Sequence, residues 1–168
     1  YTLRESFKTD VPGTLDKVKA LGFTEIEGGG DYGLGIEKFN ALLHERGLKM
    51  ASAGFGYDAM KKDIDSAVRR AQAFGVKFAM CAWISHDTKA GFTEADVRRA
   101  AADFNAWGAA FKAAGITFTY HPHGYEFLPL KDGSGRTHFD LLAAETKPEF
   151  VNFEMDVFWV THPGQDPV

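Results

Sequence analysis

The sequence predicts an α/β domain in which parallel strands alternate with outer helices. Three observations carry this. Four stretches, at 20–27, 45–52, 73–80 and 113–120, repeat one pattern: the end of a helical stripe, a glycine, then a short strand-like run. The segments between them space their apolar residues at helical intervals. The composition is that of an ordinary globular chain, with 45% hydrophobic and 25% charged residues in a length of 168. That length suits one domain or a large part of one.

The elements follow in order. Tyr1–Leu3 reads as the end of a first strand. Leu15, Val18 and Leu21 then form an apolar stripe with Pro12 near its start, and Gly22 opens a strand at 23–27. A glycine suits the end of a helix because it enters the left-handed conformation without a Cβ clash. Ile36, Phe39 and Leu43 lead through Gly47 to a strand at 48–53, and Ile64, Val68 and Ala71 lead through Gly75 to one at 76–82. The longest stripe is Val97, Ala101, Phe104, Trp107 and Phe111; Thr93 and Asp96 start it with a capping-box spacing, and Gly115 ends it before a strand at 116–121. Phe139–Ala144 is a fifth helix, followed by Pro148 and a strand at 150–156.

This is β-α repeated about five times and closing on a sixth strand, which requires parallel strands joined by right-handed crossovers. Both an open doubly wound sheet and part of an eight-stranded barrel satisfy it. No phosphate-cradling glycine loop follows the first strand. Gly28-Gly29-Gly30 follows the second, but opens into Asp31-Tyr32-Gly33 rather than directly into a helix.

Charge and cysteine content narrow the partners. Lys plus Arg is 19 and Asp plus Glu is 23, a net charge of −4. Nonspecific nucleic-acid binding needs clustered cations, so no nucleic-acid partner is expected. The single cysteine, Cys81, allows no intrachain disulfide and reads as a small buried hydrophobe. No apolar run is long enough to cross a bilayer. No signal peptide is visible, which points to the cytoplasm, although the chain opens at Tyr1 rather than Met.

In both architectures the reactive groups gather at the C-terminal strand ends. The richest of these is Tyr120-His-Pro-His-Gly-Tyr-Glu-Phe127. His121 and His123 are two apart, so on an extended backbone they point the same way. With Glu126 they suit a divalent ion such as Mn²⁺, Zn²⁺ or Co²⁺; alternatively one His caps a loop and the other packs in the mouth of the fold. Asp156, between Met155 and Val157, is costly to bury unless paired, so it is either a ligand or the cap of the next turn. Glu154 shares its face of the strand. Glu27, at the end of another strand, has the same two readings. Trp83 and Trp159 offer flat walls. His44 and His138 read as surface residues, and Lys61, Lys62, Asp63 and Asp65 as a solvated helix start.

Tyr1-Thr-Leu-Arg4, Gly22-Phe-Thr-Glu-Ile-Glu27, Ala82-Trp-Ile84, Tyr120–Phe127, Asp156-Val-Phe-Trp-Val160 and Gly164-Gln-Asp-Pro167 together resemble the sugar phosphate isomerase/epimerase family of xylose isomerase-like TIM barrels. The resemblance covers essentially the whole chain, and Tyr120–Phe127 is its most specific part. It implies a (β/α)8 TIM barrel, here one xylose isomerase-like domain over 1–168 with about six β/α units and strands 7 and 8 absent. It also implies a divalent metal (Mn, Zn, Co or Mg) held by Glu126 and Asp156 together with a His and a Glu from the missing strands. Where some relatives place a substrate-binding His, this chain has Trp159, a departure from a standard ketose 3-epimerase.

The expected activity is a metal-dependent isomerase or epimerase acting on a sugar or cyclic polyol. A proton next to a metal-polarised carbonyl would be abstracted, with Glu126, His121 and His123 as catalytic residues and Glu27, Trp83 and Trp159 binding substrate. A lyase or hydrolase of 3-keto-glycosides, and a noncatalytic sugar-binding barrel, are the alternatives. A DNA-repair endonuclease of the same superfamily would need a basic surface. Such barrels run to about 250 residues, so roughly 80 more residues are expected, and the 168-residue chain alone should be inactive. Its apolar edge at 150–156 should favour self-association into a homo-oligomer.

Overall fold

The computed structural model describes residues 1–168. Two helices, α1 (Arg4–Thr9) and α2 (Val11–Ala20), precede strand β1 (Glu25–Gly28). Helix α3 (Ile36–Glu45), β2 (Lys49–Gly54), α4 (Tyr57–Lys62), α5 (Ile64–Phe74) and β3 (Phe78–Cys81) follow. The chain continues through α6 (Glu94–Ala113), β4 (Thr117–Tyr120), a 3₁₀ turn at Tyr125–Phe127, α7 (His138–Glu145), β5 (Val151–Phe153) and α8 (Val157–Thr161). No helix is long and apolar enough to cross a membrane.

The five strands are parallel and lie in sequential order β1-β2-β3-β4-β5. A doubly wound sheet reverses its strand order partway; this one does not. Right-handed crossovers in an unreversed order put every connecting helix on one face, which is how a barrel wall is built. The predicted repeat is present: Gly22, Gly47, Gly75 and Gly115 all have positive φ, and Gly75 ends α5 at φ +73°.

The core lies between sheet and helices. One face of α6 buries Val97, Ala100, Ala101, Phe104, Trp107, Gly108 and Phe111. Phe104 packs on Phe118 and Tyr120 with ring centroids 5.3 and 4.9 Å apart. Thr93 and Asp96 form the predicted capping box.

The register sets what faces the other way. Ser52 pairs with Phe78 and Phe78 with Thr117; one layer up, Gly54, Met80, Thr119 and Asn152 align. The Nα–H of His121 donates to the Cys81 carbonyl at 2.9 Å, and that of Glu154 to the Tyr120 carbonyl at 2.9 Å. The ladder therefore runs one residue past β4 and β5. Alternation then brings Ala82, His121 and Glu154 into one inward layer at the strand ends.

Three expectations need correction. Tyr1–Leu3 is not a strand: the Arg4 N–H bonds to the Tyr1 carbonyl and Phe7 N–H to the Leu3 carbonyl, so the segment turns directly into α1. The outer edge of β1 stays unpaired, while burial of Phe7 against Tyr32, with rings stacked at 4.4 Å, rewards the helix. The sheet consequently has five strands where six were expected. The last strand is also shorter than 150–156, because Asp156 caps α8 and stops it. His138 is buried rather than on the surface, with Nδ1 2.9 Å from the Leu128 carbonyl oxygen.

Candidate functional site

At the strand C-terminal ends the inward face opens into a cavity of about 1040 Å³ bordered by Glu27, Met80, Ala82, His121, His123 and Arg4. His121, on its border, is paired with Glu154 behind it. The imidazole Nδ1 lies 3.0 Å from Glu154 Oε1. An ionised carboxylate only accepts, so Nδ1 carries the proton and Nε2 is left as the basic nitrogen. Glu154 was seen in the sequence only as a neighbour of Asp156. The signal that could have found it was the register, since residues following adjacent parallel strands share a layer.

His123 projects to the same side as His121, as the two-residue spacing predicted, with ring centroids 4.8 Å apart. Trp159 lies 4.9 Å and Trp83 6.5 Å from its ring, so two indoles flank it. Its Nδ1 is buried with no hydrogen-bond partner. Burial lowers the His123 pKa and the neighbouring His121 adds to this, outweighing the Ala82 backbone, Glu126 and Asp156, which pull the other way. His123 is therefore neutral at neutral pH.

The same shift makes a prediction. Between the lowered folded-state pKa and the ordinary His value of about 6.5, the unfolded chain binds more protons, so stability rises with pH across that window. The contribution is complete above about 6.5 and lost as pH falls below it. Urea unfolding at pH 7.5 and 5.5 should show the acid loss in the wild type and a smaller loss in His123→Gln.

Glu126 is placed quite differently from the expected ligand. It is fully buried in the 3₁₀ turn beneath the rim loop. One carboxylate oxygen takes the Tyr120 hydroxyl proton; the other accepts the N–H groups of His123 at 3.1 Å and Gly124 at 2.9 Å. Burial, then the charge of Glu126, raise the Tyr120 pKa well above that of an ordinary tyrosine, so Tyr120 stays a donor. Asp156 uses Oδ1 to accept the Phe158 N–H at 2.9 Å, the turn-capping role.

Of the two ligands expected from this chain, Glu126 does not fit as placed. Glu126 has both oxygens committed inside the protein, and no three His, Cys, Asp or Glu side chains are grouped to hold an ion. The cavity gathers His121, His123 and Glu27, the last exposed at the end of β1; Glu126 and Asp156 lie off it. Trp83, 45% exposed, stacks on His86 at 5.1 Å and stands beside the cavity mouth rather than within it. Cys81 is fully buried, as expected, and desolvation pushes its thiol up to about 12, so it is no nucleophile.

Sequential parallel strands with outer helices, and polar groups collected at the strand C-terminal ends, define a (β/α)-barrel protein. Known structures share this fold. A sugar phosphate isomerase/epimerase from Parabacteroides distasonis ATCC 8503 is 24% identical and superposes with a TM-score of 0.84, over 99% of this chain and 66% of its own. A second structure of that description from the same organism is 25% identical, with a TM-score of 0.79 over 98% of this chain and 69% of its own. A xylose isomerase-like TIM barrel protein from Mycobacterium smegmatis in complex with magnesium is 16% identical, with a TM-score of 0.65 over 90% of this chain and 58% of its own. This chain spans about two thirds of the length of the Parabacteroides structures. No protein-family profile matches the sequence, and no curated protein matches it.

Proposed function

We propose that this chain is the larger part of a sugar isomerase or epimerase, acting by proton transfer at a carbon next to a carbonyl. The observation that carries the reading is His121, held by Glu154, on the cavity that His123 and Glu27 also border. An imidazole takes up a proton and returns it near neutral pH, as isomerisation through an enediolate on one face requires; inversion at the same carbon would need a second proton donor on the opposite face. Glu154 holds the Nδ1 tautomer, so Nε2 removes the C–H proton, and the carboxylate stabilises the imidazolium that forms. Neutral His123 offers a ring nitrogen to a substrate hydroxyl or to the enediolate oxygen. Trp83 and Trp159 flank His123 beside the cavity and would meet the apolar side of a sugar that reaches its ring.

The Parabacteroides structures carry the sugar phosphate isomerase/epimerase description, which supports the substrate class. The open edge of β5 and the share of those structures covered support a barrel completed by further strands, with activity belonging to the complete protein. The test is to incubate full-length protein with a panel of ketoses and 3-keto pyranosides and separate the products by chromatography, with chelator-treated and Mn²⁺-supplemented arms. Conversion of at least one sugar to its isomer or epimer is expected, weakened by Glu154→Gln. Conversion of none in any arm would overturn the reading.

A further inference from the structure

The buried carboxylate of Glu126 stands at the end of a hydrogen-bond chain that begins in another loop. Tyr120 has one hydroxyl proton and gives it to Glu126. The 3.0 Å contact between the Tyr120 and Tyr125 hydroxyls must then have Tyr125 as donor. The Tyr125 oxygen in turn accepts the backbone N–H of Ile84 at 3.0 Å. Every bond points the same way: Ile84 N–H to Tyr125, Tyr125 to Tyr120, Tyr120 to the carboxylate. Bonds aligned like this polarise one another in a low-dielectric interior.

The two ends of the chain lie in the two loops that shape the site. Ile84 follows Trp83 after β3 and is fully buried. Glu126 holds the N–H groups of His123 and Gly124 after β4, and Gly124, at φ +101°, lets the loop fold back over the carboxylate. The Tyr125 ring lies between the two, 4.9 Å from Trp83, 5.0 Å from His86 and 4.9 Å from Phe92. A fully buried carboxylate is tolerated only when its lone pairs are met by donors, and here three donors meet them.

We propose that Glu126 is a positioning residue: through Tyr120 and Tyr125 it locks the loop carrying His121 and His123 to the loop carrying Trp83. That it positions catalytic groups rests on the function proposed above; that it couples the two loops does not. A glutamine in its place has one acceptor oxygen and cannot meet all three donors, while phenylalanine at 125 removes a single oxygen from the middle of the chain.

The test reads the lock without using a sugar. In ¹⁵N-labelled full-length protein, Tyr125→Phe should speed Ile84 amide exchange about tenfold, the loss of one buried hydrogen bond. It should also shift the His123 ring signals, with amide exchange in α2 and α3 unchanged. Glu126→Gln should add faster exchange at His123 and Gly124 and still move Ile84, which a role confined to its own loop would not do. If Glu126→Gln fails to fold, Tyr125→Phe decides the matter. Unchanged Ile84 exchange and His123 signals in Tyr125→Phe would overturn the proposal. Failure of the catalytic reading would show separately, as absence of sugar turnover in a wild type whose loops are still coupled.

Discussion

His121→Gln should lower turnover of the sugar substrate about 10²- to 10⁴-fold, the range that a positioned acid–base group contributes. Glutamine keeps the size of the side chain and can still bond to Glu154, but cannot take a proton from carbon. Glu154→Gln should cost less. It keeps an acceptor for the Nδ1–H while removing the charge that favours the imidazolium, so kcat should fall with little change in KM. If His121 only binds substrate, its replacement will raise KM and leave kcat. Steady-state kinetics of the two variants separate these cases.

The second large effect is on stability. Gly108→Ala should destabilise the fold by about 2–3 kcal/mol and lower the melting temperature by about 5–10 °C. Gly108 lies mid-helix in α6, where alanine would ordinarily gain about 1 kcal/mol. A Cβ there would come within 2.2 Å of the Phe150 carbonyl oxygen and 2.7 Å of its carbon. Backbone cannot rotate aside as a side chain can. Retreat is also blocked, because Asn105 accepts the Lys147 N–H at 2.7 Å and donates to the Glu145 carbonyl at 3.0 Å, tying 145–147 onto α6. Gly56→Ala is the control: φ there is −70°, nothing lies within 4 Å of a Cβ, and the melting temperature should hardly move. The strain in Gly108→Ala falls on the segment that leads into β5 and Glu154, so the site should loosen along with the fold.

Local chemistry made much of the fold legible. The glycines ending α2, α3, α5 and α6 and the Thr93 capping box mark boundaries by backbone conformation and hydrogen bonding, which depend on near neighbours. Tyr1–Leu3 departs from the expected strand because the burial of Phe7 on Tyr32, a contact across 25 residues, favours the turn into α1 over pairing with the open edge of β1. The His121 and His123 side chains could be placed on one side because period two is local. Glu126 and Glu154 could not be placed so well. Burial of Glu126 follows from the turn at Gly124 and from Tyr120 pointing away from the cavity. The contact of Glu154 with His121 depends on the β4–β5 register across 33 residues. Chemical type made Glu126 look like a ligand, and only the filled lone pairs show it working inside the protein.

Proton exchange at carbon by His121 can be followed by incubating full-length protein with its sugar in D₂O and watching the hydrogen next to the carbonyl by proton NMR. This signal should disappear as solvent deuterium enters, in wild type and much more slowly in His121→Gln. Deuterium entering as fast in His121→Gln as in wild type, or product formed by wild type with no solvent deuterium at that carbon, would contradict exchange by His121.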